Sequence, residues 1–262
     1  MTNRRKIVVF IIAFILLLNG AAFILLKGSL GRPPLQQEQV RARVAIVIDD
    51  WGYNLNCVKT LRQIDVPVTI SILPNLLYSA KIANIAKNLG QEIILHLPLE
   101  PEKGGRDYIG LEEDTLTCDM DRERVIEVLD KALDDAPSAK GVSNHMGSLA
   151  TKDERLMAII FTELKKRDLF FLDNLVTSES ICRRVAREKG IRCSARDVFL
   201  DNEDDEEYIR GQFKRLCQVA LAGGAAIGIG HARPATMKVL KEEIPLMYEQ
   251  GIKLIFVSEL ME

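Results

Sequence analysis

Val44-Ala45-Ile46-Val47-Ile48-Asp49-Asp50-Trp51-Gly52 is the stretch from which the rest of the chain is read. Its first five residues are apolar and mostly β-branched. A strand with one wet face would alternate polar and apolar residues, so an unbroken run points to a strand buried on both faces of a parallel sheet. The run stops abruptly at two carboxylates. Outward from it, the same pattern recurs at Val68–Ile72, Glu92–His96, Gly141–Asn144, Leu169–Asp173, Ile191–Ser194, Ala225–Gly230 and Lys253–Val257.

Between these runs the period changes from two to about 3.6. Tyr78 to Leu89 places Ile82, Ile85, Ala86 and Leu89 on one helical face, and Asp121 to Asp135 does the same with Val125, Val128, Leu129 and Ala132. Gly90, Gly190 and Gly251 each stand between a helical segment and the next strand, where a left-handed residue ends a helix. Repeated βα units predict an α/β fold, a distorted or incompletely closed (β/α)7-8 barrel of parallel strands spanning residues 43–262. The connection from Leu97 to Met120 is long and polar and contains Gly104-Gly105, the character of a loop that covers a site.

Ahead of the barrel, residues 28–42 form a linker marked by Gly, Ser, Pro and Gln, and residues 1–27 form a membrane anchor or signal segment. Residues 7–26 are apolar apart from Asn19 and Gly20. A helix of that length spans roughly 30 Å, the thickness of a bilayer core. Arg4, Arg5 and Lys6 precede it and are expected on the cytoplasmic side, so the domain is expected to be exported, periplasmic or extracytoplasmic. A cleaved signal peptide competes with an uncleaved anchor, although Lys27-Gly28-Ser29 is a poor cleavage site. The chain has 35 basic and 37 acidic residues, and beyond residue 40 the balance falls to 30 against 36. With no basic stripe, a nucleic-acid partner is not expected. The five cysteines form no C-x-x-C pair and read as small buried hydrophobes, with a Cys182–Cys193 bridge left open.

Each of the three histidines lies at the carboxyl end of an expected strand: His96, His145 and His231. Asp49, Asp50 and Asp173 lie at equivalent places. Taken singly, such a histidine is a hydrogen-bonded structural residue and such an aspartate a helix cap. In a parallel barrel, however, the carboxyl ends of the strands share one rim, where active sites form. Imidazoles and carboxylates together suit Zn²⁺ or another first-row divalent ion, with a carboxylate and a histidine beside it for proton transfer.

Ile48-Asp49-Asp50-Trp51-Gly52, His96-Leu97-Pro98-Leu99-Glu100-Pro101, Asn144-His145-Met146-Gly147-Ser148 and Gly230-His231 together resemble the divergent polysaccharide deacetylase family, an offshoot of the metal-dependent carbohydrate deacetylases, over residues 43–260. The resemblance implies a divalent metal cofactor, Zn²⁺ foremost, held by Asp50, His96 and His145. It implies Asp49 as general base, His231 as catalytic acid, and Asp173 as the family's acidic residue after the fifth strand. Glu100 stands where typical relatives have a second histidine and becomes a substrate group or a support for a ligand. Arg233 either orients His231 or binds substrate. Trp51 and Tyr53 either stack on a sugar or pack beneath the rim. The implied reaction is metal-assisted hydrolysis of the N-acetyl amide of a glycan or peptidoglycan in the cell envelope. The alternative is a catalytically inactive envelope domain that binds metal or glycan and serves a protein partner.

Overall fold

Among the described residues, nine parallel strands curl into a distorted half-barrel with helices packed around it. The structure is a computed structural model and describes residues 40–103 and 114–262. The strands are β1 (Ala42–Trp51), β2 (Thr69–Ile72), β3 (Glu92–Leu99), β4 (Gly141–Met146), β5 (Phe170–Asp173), β6 (Cys193–Ala195), β7 (Val198–Phe199), β8 (Ala225–His231) and β9 (Ile252–Ile255). The expected α/β barrel is therefore present, and each expected run contains a strand. The expected anchor, residues 7–26, lies outside the described residues. Among the described residues, no helix is long and apolar enough to cross a membrane.

β1 is the hub of the sheet. β8 runs along it from Arg43 to Asp49. On its other side β9 pairs with Ala42–Ala45 and β2 pairs with Val47–Trp51, so two strands share one flank. β7 was not expected, because two residues are too few to show a period. β6 lies on β5 and β7 lies on β8. Only Arg196 and Asp197 separate them, so one kinked segment bridges the two edges of the curled sheet. β3 also runs past His96 to Leu99, pairing with β4 as far as Met146, so His96 lies within its strand and not at its end.

The helices are α1 (Val58–Leu61), α2 (Ser79–Asn88), α3 (Arg122–Asp134), α4 (Glu154–Lys166), α5 (Cys182–Lys189), α6 (Glu206–Gly223) and α7 (Pro234–Glu249). Asp121, Asp153 and Asp205 begin α3, α4 and α6 by accepting the N–H of Arg124, Leu156 and Tyr208, donors the helix itself leaves unpaired. At the other end, Gly190 stops α5 with φ 66°, a conformation that suits glycine. All five cysteines are free, so the Cys182–Cys193 bridge is not formed.

Alternation along the strands sorts the core. Outward residues such as Val44, Ile46 and Ile48 pack against helices. Inward residues Ala45, Val47, Ile94, Phe170, Leu172, Ile227 and Ile229 meet Val257 in the barrel interior. Val257 belongs to a 3₁₀ turn, Val257–Leu260, that closes the interior from below.

Candidate functional site

The inward rows all end in polar side chains at the same rim. Ala45 and Val47 are followed by Asp49, Ile94 by His96, Phe170 and Leu172 by Asn174, and Ile227 and Ile229 by His231. On β4 the inward pair is Ser143 and His145. Period-two alternation in parallel strands thus stacks one polar layer on an apolar one.

Asp50 breaks this rule. As the neighbour of Asp49 it should point outward. The β1–β2 register shifts between Ile48 and Trp51, and Asp50 has φ 61°. The irregularity turns both carboxylates toward His96, whose Nε2 lies 3.7 Å from Asp49 Oδ2 and 3.3 Å from Asp50 Oδ1. A non-glycine residue in the left-handed region costs on the order of 1–3 kcal/mol, and such strain clusters at functional sites. No helix begins at Asp50, since α1 starts at Val58, so the capping reading does not apply.

Three atoms form a nearly equilateral triangle. Asp50 Oδ1 is 3.3 Å from His96 Nε2 and 3.2 Å from His145 Nδ1, and the two ring nitrogens are 3.2 Å apart. Ligand atoms bonded to one ion at roughly 2.0–2.2 Å in tetrahedral or octahedral geometry lie about 2.8–3.6 Å from one another. Asp50 Oδ1 is buried and has no well-aligned hydrogen bond among the described residues. These donors therefore fit a divalent cation. Burial opposes charge on Asp50, but the His145 and His96 imidazoles outweigh it and hold the carboxyl well below the usual carboxylate range. His96 Nδ1 is within 2.8 Å of Ser143 Oγ, which is 2.9 Å from Ser71 Oγ, so the ring is fixed from behind.

His231 stands on the opposite side, its Nε2 3.7 Å from Asp50 Oδ2. Its Nδ1 is 2.9 Å from Asp201 Oδ1, and its backbone N–H donates to Asp201 Oδ2 at 2.8 Å. Thr236 Oγ1 also donates to Asp201 Oδ2, at 2.6 Å. Burial favours a neutral imidazole, but Asp201 overcomes it and raises the pKa of His231 above the ordinary histidine value. Asp201 is lowered in turn: burial opposes its charge and His231 more than compensates.

Other expected site residues are placed differently. Asp173 faces its own loop: Oδ1 accepts from Leu175 N–H and Oδ2 from Ser180 Oγ, and burial pushes its carboxyl up. Parity explains this placement, since Asp173 is an outward position and Asn174 the inward one. Trp51 is 1% exposed and sits in the outer core cluster, so its face is not available to a sugar. Tyr53, at 48%, is exposed. Glu100 Oε2 accepts Cys118 N–H at 2.7 Å and anchors the far end of the long connection, of which residues 104–113 lie outside the described residues. Arg233 donates to the Asp201 carbonyl at 3.0 Å, so it supports the partner of His231.

Asp201, Asn174 and Ser143 are site residues that sequence reasoning passed over. Alternation from Phe170 and Leu172 pointed to Asn174. Asp201 follows the apolar Val198-Phe199-Leu200, a fainter form of the strand-then-aspartate signal.

A model of the divergent polysaccharide deacetylase family matches residues 46–261. This chain belongs to that family. Two curated relatives are similar to it. An uncharacterized protein of Haemophilus influenzae is 33% identical over 201 residues, covering 77% of this chain and 70% of that one. The uncharacterized protein YibQ of Escherichia coli is 31% identical over 210 residues, covering 80% and 65%. The chain thus spans about two thirds of the length of the curated relatives it matches. Among solved structures, an uncharacterized protein from Agrobacterium tumefaciens superposes with TM-score 0.77 at 25% identity, covering 87% of this family member and 92% of that chain. A CE4 family pseudoenzyme from Bacillus anthracis shares the fold, with TM-score 0.52 at 13% identity over 83% and 64%.

Proposed function

We propose that this chain is a metal-dependent amide hydrolase that removes acetyl groups from N-acetylated sugars of a glycan or of peptidoglycan. Its place is the cell envelope, with the domain exported behind the basic cluster and apolar run at the N-terminus. The observation that carries the reading is the Asp50–His96–His145 triangle with Asp49 on one side and His231 on another.

Asp50, His96 and His145 would hold a divalent cation, Zn²⁺ first among those that suit two imidazoles and one carboxylate. When bound, such an ion supplies Lewis acidity toward the acetyl carbonyl and the attacking water. Asp49, inward and buried beside His96, takes a proton from that water as its oxygen bonds to the acetyl carbon. Burial works against charge on His231, at 17% exposure, but its bond to Asp201 raises its pKa and favours the protonated ring. The ring gives its proton to the amine nitrogen as the carbon–nitrogen bond breaks. The water's oxygen and its second proton leave as acetic acid, which gives that proton to the released amine and becomes acetate, and the proton on Asp49 returns to His231 through solvent. Arg233 and Thr236 keep Asp201 in place throughout.

The test is metal analysis and acetate release with the purified full-length chain, across N-acetylated glycans and peptidoglycan fragments. Stoichiometric metal is expected, lost in His96→Ala and His145→Ala together with acetate release. Bound metal without acetate from any substrate would favour the binding-domain reading. No bound metal at all would overturn both.

A further inference from the structure

Asn174 has no part in the chemistry above, yet three segments of the chain converge on it. The residue is 4% exposed, and its Nδ2 donates to Asp49 Oδ2 at 2.7 Å. Its backbone N–H donates to Asn144 Oδ1 at 2.9 Å, and Asn144 Nδ2 donates to the Met146 carbonyl at 2.7 Å. Its carbonyl accepts Arg196 Nε at 2.8 Å. Arg196 is held by the Leu175 carbonyl at 3.1 Å and lies 4.6 Å over the Phe199 ring. β4, the end of β5 and the segment between β6 and β7 therefore fix a single amide.

Asp49 is left asymmetric. Oδ2 is occupied by Asn174, while Oδ1 is buried without a hydrogen-bond partner among the described residues. An unpaired buried carboxylate oxygen is costly, and a proton-accepting atom is the group for which that cost has a use.

We infer that Asn174 is the positioning residue of Asp49: its amide holds Oδ2, the oxygen 3.7 Å from His96 Nε2, and so fixes the orientation of the carboxylate beside the Asp50–His96–His145 triangle. A neutral amide suits this task because it orients the carboxylate without cancelling its charge. Asn144 and Arg196 act one step further back, by fixing the Asn174 backbone. The kinetic consequence rests on the hydrolase reading, but the contact does not.

The test uses the full chain and two readouts. By NMR, the side-chain amide protons of Asn174 are expected to exchange slowly and to lose that protection in Asp49→Ala. In turnover, Asn174→Ala is expected to lower kcat by about 100-fold, the scale of a misplaced reacting group, with KM and metal content unchanged. In an Asp49→Ala background the same change is expected to cost nothing further, since the two residues act as a unit. Asn174→Asp, nearly isosteric, repeats the kinetic arm if the alanine variant does not fold. An Asn174 amide indifferent to Asp49→Ala, an unchanged kcat, or additive losses in the double variant would each overturn the inference. If the wild-type chain turns over no substrate, the hydrolase reading fails and the NMR arm still decides the contact.

Discussion

At the lower end of the barrel interior, Thr69 Oγ1 donates to Glu92 Oε1 at 2.9 Å and accepts Val257 N–H at 3.1 Å, while Ser258 N–H reaches Glu92 Oε1 at 3.2 Å. At the upper end, Asp49 Oδ1 and Asn174 Oδ1 are buried with no partner among the described residues. The upper rim also carries left-handed non-glycine residues: Asp50 at φ 61°, Met146 at 52° and Leu175 at 47°. The lower end places glycine where space is short, as at Gly141, whose added Cβ would meet the Phe170 ring at 2.4 Å. Both layers are polar, buried and set on the same strands. The lower layer has its hydrogen bonds made and no left-handed residue of its own, the nearest being Asp168 (φ 54°) in the turn before β5, whereas the upper layer has buried unpaired oxygens and a left-handed Asp50. The contrast separates groups kept for stability from groups kept for chemistry, because function tolerates local violations that folding alone would remove.

Four substitutions break or sharpen that contrast. Asp49→Asn is expected to have the largest effect, lowering acetate release by about 100- to 10,000-fold, the usual contribution of a general base, while the melting temperature holds or rises. A large loss of stability there would place Asp49 with the lower layer. Gly141→Ala comes next. The clash with Phe170 is expected to cost about 1–3 kcal/mol in urea unfolding, with kcat of the folded fraction unchanged. Thr69→Val leaves Val257 N–H without its acceptor and is expected to cost about 1–2 kcal/mol, again without a kinetic effect. A fall in kcat for either lower-layer variant would show that the two layers are coupled.

The smallest effect concerns pH. In the metal-free protein the His231–Asp201 pair contributes to stability. Asp201 raises the His231 pKa against the opposing pull of burial, so the histidine's share is whole below the ordinary value of about 6.5 and is lost as pH climbs through the raised value. The Asp201 pKa is depressed despite burial, so its share is present above the ordinary value of about 3.9 and is lost as pH falls through the depressed one. Asp201→Asn is expected to flatten both limbs in urea melts taken across pH. Limbs that survive the substitution would assign this dependence to other groups.

How legible the site was depended on how far each side chain obeyed its strand. His145 and His231 follow period-two alternation and were readable from the ends of their strands, His231 after an apolar run and His145 after Gly141-Val142-Ser143-Asn144. His96 follows it too, although its strand continues to Leu99. Asp173 is the acidic residue at the strand end that the resemblance singles out, yet the alternation set by Phe170 and Leu172 brings Asn174 to the rim. For Trp51 the sequence left stacking on a sugar and packing beneath the rim both open; the irregularity at Asp50 returns the chain to the outer face, where the indole packs in the outer core. Asp201 comes just after a strand of two residues, too short to show a period, so only the faint apolar-run-then-aspartate signal marked it.

The amino-acid sequence by itself determined the parallel α/β architecture, the family, and the gathering of Asp49, Asp50, His96, His145 and His231 at one rim. The reason is local: apolar runs, helix-stopping glycines and two-residue alternation are short-range properties, and parallel strands share their carboxyl ends. Tertiary structure alone decided which atoms face each other there. Asn174 meets Asp49 across 125 positions of the chain, and Asp201 meets His231 across 30. Such pairings depend on the curl of the sheet, the left-handed turn at Asp50 and the kinked bridge between β6 and β7, none of which a local pattern encodes.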